Sequence, residues 1–182
     1  AMLQAPRDAV VEKDSAGADT LEDRLEKAKN EPVNTNSLSS ANKASLAFVW
    51  EKGEHKILVM GDANPDIVVK GLLDYNHDKP FPIIFDAIKV SHHGSHYNTT
   101  DELLRHADSE HFFFTGGQEG KRPSEEAVGR IILNPLPEGI KKRCLHFNYS
   151  TSLVEELKKD KDLQKKYHFA VDTIKNEQVF TF

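Results

Sequence analysis

The run Ile83 to Val90, apolar and rich in β-branched residues, stops abruptly at Ser91-His92-His93-Gly94-Ser95-His96. A short apolar run between a proline-containing loop and a glycine reads as a buried strand. A strand ending in histidines delivers imidazoles to the rim of a sheet, where ligands of layered α/β proteins bind. Upstream, Lys56-Ile57-Leu58-Val59-Met60-Gly61-Asp62 repeats the design, a buried-strand pattern closed by glycine and a single carboxylate. A helical pattern fits between the two strand ends. Asp62 and His92 are therefore expected to meet in space as part of a metal site, of which the sequence carries only a portion.

The chain has 182 residues, enough for one domain with a real core or for a substantial piece of a larger one. Its net charge of −5 advertises neither a nucleic-acid nor a membrane surface. No apolar run approaches the roughly 20 residues a membrane span needs. The N-terminus lacks the charged-then-apolar pattern of a signal peptide, so a cytoplasmic chain without membrane partners is expected. The single cysteine, Cys144, excludes an intrachain disulfide and a cysteine-based zinc site, and reads as a small apolar residue in a strand.

Residues 1–41 differ in texture from the rest, being polar and lacking aromatics, and read as a linker or insertion that is partly ordered. Within them Thr20 to Lys29 has helix signals at both ends but only Leu21 and Leu25 as strong anchors, which predicts a weakly packed surface helix. From Ala44 onward, strands and helices alternate. Ser45 to Trp50 and Lys56 to Met60 form a hairpin around Lys52-Gly53-Glu54. Asn64-Pro65 opens a helix with Ile67, Val68, Leu72 and Leu73 on one face. Thr99 and Glu102 have capping-box spacing before a short helix. Residues 111–115 form a strand, 124–133 a helix, 142–148 a strand, 151–166 one amphipathic helix, and 168–174 with 178–182 a closing hairpin. The fold class is α/β or α+β layered, a mixed sheet flanked by helices.

At Gly61-Asp62 and His92-His93-Gly94-Ser95 the chain resembles the metallo-β-lactamase superfamily of hydrolases, in the branch that includes the hydrolase domain of competence (DNA-uptake) proteins. That branch shows an Asn, then Ser-Leu and a strand, then a strand ending in Gly-Asp, then one ending in His-His-Gly-Ser. Here these are Asn42 with Ser45-Leu46, Ile57 to Asp62, and Ile88 to Ser95. Order and spacing match over roughly 42–135; where relatives carry His-Pro before a helix this chain reads Arg122-Pro123. The family's metal site begins with a His-x-His-x-Asp-His motif that is absent from this sequence. The resemblance thus implies the second half of an αββα sandwich, occupying 42–182. Its first half would lie elsewhere in the same protein or in another chain; alternatively, this is a member that has lost its site.

The resemblance implies two divalent ions in the complete domain, zinc foremost, with manganese or iron as alternatives. Asp62 matches the bridging carboxylate and His92 the last histidine ligand, although the sequence leaves open which of His92 and His93 binds metal. Asp62 alone could equally cap the following helix. His93 and His96 are candidates for contacting substrate or orienting a leaving group, and Ser95 for holding the turn or bonding a substrate oxygen. Lys121 and Arg122 beside a glycine-rich loop are candidates for phosphate contacts. The implied reaction is metal-assisted hydrolysis of a phosphodiester, nucleic acid included; the alternative is a non-catalytic scaffold or partner-binding domain that retains the fold. Isolated, the chain is expected to bind metal weakly and to be inactive, and an exposed apolar sheet face would drive it to dimerise.

Overall fold

The structure is a computed structural model and describes residues 19–77, 80–116, 122–174 and 179–180. Its strands are β1 (Phe48–Lys52), β2 (His55–Val59), β3 (Ile83–Phe85), β4 (Ala87–Lys89), β5 (Ala107–Ser109), β6 (His111–Phe114), β7 (Arg143–Phe147) and β8 (Phe169–Thr173). The helices are α1 (Leu21–Lys29), α2 (Ser40–Lys43), α3 (Pro65–Asn76), α4 (Asp101–His106), α5 (Glu125–Leu133), α6 (Ser152–Lys159) and α7 (Lys161–Lys166). Six strands form one sheet in the order β1-β2-β4-β6-β7-β8, while β3 and β5 pair separately. Only β1–β2 is antiparallel; every other neighbour in the six-stranded sheet is parallel. The expected mixed α/β layered fold is what the chain adopts.

Alternation along the strands sorts the sheet into two faces. Leu58, Ile88, Phe112, Phe114, Leu145 and Phe147 point to one side, where they share a single core with Val68 and Leu72 of α3, Leu104 of α4, Ile131 of α5 and Val154 of α6. On the opposite side, Phe48 and Trp50 are each 46% exposed, and Ile57, Val59, Lys89, His111, Phe113 and Cys144 are half-buried. The helices therefore cover one face; the other is most exposed at β1, while further along it His146 is buried and in ring contact with Phe180. Cys144 sits in a strand as expected.

The 83–90 run is two strands rather than one. Asp86 breaks it: its Oδ2 accepts from Lys56 N at 2.6 Å and its own N donates to Lys56 O at 2.9 Å. That joint hands the chain from β3 to β4. Asp160 divides 151–166 in the same way, capping α7 by accepting from Leu163 N at 2.9 Å. On α3 the buried side is Val68, Val69 and Leu72, whereas Ile67 and Leu73 are 57% and 50% exposed. Thr100, not Thr99, caps α4. β8 runs parallel to β7, and residue 178 with 181–182 of the expected closing hairpin lie outside the described residues.

Residues 19–40 are better anchored than their composition implies. Leu25 is fully buried, and Arg24 pairs with Glu125 at 2.7 Å and Glu156 at 2.9 Å. Gly129 of α5 makes the docking of α1 tight: a Cβ there would stand 2.8 Å from Leu25 O. The expectation of a weakly packed helix is corrected, because two leucines suffice when the opposing helix presents a bare backbone.

Candidate functional site

Parallel pairing of β2 and β4 sends both strands out at the same edge, and backbone contacts stitch the exits together. His92 N donates to Gly61 O at 2.8 Å, and Ser91 Oγ donates to Ala63 O at 3.2 Å. Gly61 is at φ +48°, and any Cβ there would lie 2.7 Å from both Leu46 O and Ser45 Oγ. Glycine thus allows the close approach in which Ser45 Oγ accepts from Asp62 N at 2.9 Å. The outcome is the convergence expected from the sequence: His92 Nε2 and Asp62 Oδ2 are 3.9 Å apart.

Which nitrogen of His92 carries its proton follows from Asn98, a fully buried residue. Its Nδ2 donates to Asp62 O at 3.1 Å and Ala63 O at 3.0 Å, two groups that can only accept. This fixes the amide with Oδ1 towards His92 Nδ1, at 3.2 Å. Nδ1 then holds the hydrogen; Asn42 Nδ2, also 3.2 Å from that nitrogen, could donate to it only in the other tautomer, and the buried, doubly anchored Asn98 is the stronger constraint. The Nε2 lone pair consequently faces the Asp62 carboxylate, too far for a hydrogen bond. Burial, helped by the charge of Arg122, pushes the His92 imidazole below its ordinary range, against the opposing pull of Asp62. A neutral imidazole and a carboxylate thus aim electron pairs at one small space, the arrangement in which a metal-bound histidine is usually oriented from behind.

The backbone is strained here. His92, His93 and Gly94 follow one another at φ +45°, +60° and +80°. Non-glycine residues in that region cost about 1–2 kcal/mol each, and such clusters are typical of working sites. His93 Nδ1 is bonded to Thr115 O, which forces the proton onto Nδ1 and leaves Nε2 as an acceptor. Behind the pair, burial lowers the Lys89 ammonium below its ordinary range, while the charge of Asp62 works to raise it.

Other residues singled out from the sequence fall in different places. Ser95 is buried, and its backbone closes the turn by bonding His92 O and Asn98 N. His96 turns away towards Glu126, 3.8 Å from it, and packs edge-on against Tyr97. Arg122 is half-buried, and its charge is felt at His92. Lys121 lies outside the described residues. Sequence reading missed Asn98 and Lys89. Neither has a spacing that marks it: Asn98 depends on the 91–98 loop folding back over the strand ends, and Lys89 on the pairing of β4 beside β2.

Two donors do not hold a divalent ion on their own; zinc centres use at least three protein ligands. Among the described residues no group of three or more His, Cys, Asp or Glu side chains is placed to do so. The chain by itself does not fit a complete metal centre, and no chemical step is derived through one. No helix among the described residues is long and apolar enough to cross a membrane. No family model, curated protein or solved structure matches the chain.

Proposed function

We propose that this chain is the second half of a metallo-β-lactamase-like hydrolase domain, contributing Asp62 and His92 to a two-metal site that cleaves phosphodiesters. The observation that carries the reading is the 3.9 Å approach of His92 Nε2 to Asp62 Oδ2 at the tips of neighbouring parallel strands. Asn98 supports it by holding the imidazole from behind in the tautomer a ligand requires. The open face of the sheet supports it too, because Phe48 and Trp50 lie where the second sheet of a sandwich would pack. The missing first half is the partner this reading calls for, and zinc, manganese or iron belong to the completed domain. His93, whose Nδ1 donates to Thr115 O, would offer Nε2 to take a proton or contact substrate.

The alternative, a scaffold that keeps the fold without the chemistry, is favoured by the same two-donor count. The coding sequence immediately upstream separates them. A His-x-His-x-Asp-His motif there, with hydrolysis of bis(4-nitrophenyl) phosphate by the longer chain that is lost in Asp62→Asn and His92→Ala, is the expected result. Absence of the motif, or activity indifferent to both substitutions, overturns the hydrolase reading.

A further inference from the structure

We infer that the outer edge of β1 binds a second copy of this chain. The two β1 strands pair antiparallel about a twofold axis at Trp50 and join the sheets of both copies into one. β1 ends the sheet order, and among the described residues no strand pairs with its outer side. This inference stands apart from the hydrolase reading, since the edge of a sheet lies at right angles to the face that a second sheet would cover.

Which backbone groups face outward follows from the hairpin. β1 and β2 are joined by the two-residue turn Gly53-Glu54, with Gly53 at φ +62° and Lys52 opposite His55. Such a turn is closed by a hydrogen-bonded pair, here Lys52 and His55, so bonded pairs recur at Trp50–Ile57 and Phe48–Val59. Lys56 agrees with this alternation: it stands opposite Glu51 but directs both its N and its O to Asp86, on the far side of β2. Val49 and Glu51 therefore turn their N–H and C=O groups away from β2. The result is an open ladder edge with neither a proline nor a bulge to blunt it.

A second copy suits this edge because Phe48-Val49-Trp50-Glu51-Lys52 complements itself when reversed. With the axis at Trp50, Val49 of each copy stands opposite Glu51 of the other and exchanges both backbone bonds with it. The two Trp50 residues form the non-bonded pair between, with Cα atoms about 4.5 Å apart. On the face opposite the helices, Phe48 of one copy then lies beside Lys52 of the other, an aromatic ring against a long cationic stem. Phe48 and Trp50, each 46% exposed in the single chain, are covered together. The Glu51 carboxylates fall two positions apart, each engaged by the Tyr75 hydroxyl of its own copy. Moving the axis to Glu51 would set the two carboxylates opposite one another, which is destabilising. Moving it to Val49 would pair fewer of the strand residues with one another. The helix side of this edge has space: a groove of about 620 Å³, lined by Ala47, Val49, Ile67, Gly71 and Tyr75, runs between β1 and α3. The Val49 and Glu51 side chains of the arriving strand point to that same side.

Trp50 is the chain's only tryptophan, so its fluorescence reports the pairing directly. The test is sedimentation of the full chain in EDTA, with Trp50 emission followed in parallel, from about 1 μM to about 1 mM, the range that a small interface calls for. A monomer–dimer equilibrium is expected, with Trp50 emission moving to shorter wavelength as dimer forms. Val49→Pro removes an N–H that the hairpin does not use and should weaken dimerisation by about tenfold or more. Phe48→Lys, at an exposed position, sets a lysine against Lys52 of the other copy and should do the same. Register is read by disulfide trapping in a Cys144→Ser background. Trp50→Cys should cross-link to its own copy, at a spacing a disulfide spans, whereas Val49→Cys should not. A chain that stays monomeric at the highest concentration, which would leave the edge to some other extended segment, overturns the inference. So does dimerisation that survives both substitutions, or trapping of Val49→Cys as readily as Trp50→Cys. Because metal is absent throughout, failure here leaves the metal reading standing, and failure of the metal reading leaves this edge standing.

Discussion

Asn98 holds His92 by its back: the amide that donates to the carbonyls of Asp62 and Ala63 presents its oxygen to His92 Nδ1 at 3.2 Å. One buried side chain thereby ties both strand exits together and decides which way the imidazole lone pair faces. Asn98→Ala should cost about 2–4 kcal/mol of stability, since it removes three hydrogen bonds and strands buried carbonyls. Asn42→Ala, at a more exposed position touching the same ring, should cost well under half of that. Chemical denaturation of the two variants compares them directly.

Much of the layout was legible before the structure. Gly61-Asp62 and the His-His-Gly-Ser turn marked two strand ends, and their convergence followed from an intervening helix. The internal break at Asp86 was not legible, because Ile83 to Val90 keeps one apolar texture while the pairing partner changes from β5 to β2 and β6. Nor was the anchoring of α1, which depends on a glycine more than a hundred positions away. Tyr149 and Asn98 are ordinary polar residues in sequence. Only the fold reveals that the Tyr149 hydroxyl has no hydrogen-bond partner among the described residues, whereas the Asn98 side chain has three.

The close approach of α1 to α5 gives a second expectation. Gly129→Ala places a methyl 2.8 Å from Leu25 O, a backbone atom that cannot swing aside. Overpacking of this kind costs about 1–3 kcal/mol, and Leu25→Ala about 2–5 kcal/mol. Limited proteolysis should cut both variants faster within 19–41 than the wild type, while the β2–β4 region stays protected.

Arg143 and Asp108 form an ion pair in which both side chains are almost wholly buried, with Arg143 Nε 3.0 Å from Asp108 Oδ1. The guanidinium also bonds the carbonyls of Asn134 and Pro135. Removing either partner leaves a buried charge uncompensated, so Asp108→Ala or Arg143→Met should destabilise by about 3–5 kcal/mol. The double variant should recover part of that loss, which a double-mutant cycle measures.

His146 gives the fold a dependence on pH. Burial, reinforced by His111 with its Nδ1 3.0 Å away, holds its imidazole below the ordinary range, and Asp172 at 3.5 Å only partly opposes this. A depressed folded value means that the unfolded chain takes up the proton first. This contribution to stability is therefore complete above the unfolded pKa of about 6.5 and is lost as pH falls through it towards the folded value. His92 adds to the same trend. Denaturation midpoints should drop between pH 7.5 and 5.5, and His146→Gln should flatten that slope.

The orientation of His92 towards Asp62 is tested most directly by long-range ¹H–¹⁵N correlation of the histidine rings, with and without zinc. The expected spectrum has His92 protonated on Nδ1, with an Nε2 signal that moves as zinc reaches millimolar concentration and fails to move in Asp62→Asn. A His92 protonated on Nε2, or an Nε2 signal indifferent to zinc, would contradict the shared site. Submicromolar zinc affinity in this chain alone would contradict the half-site.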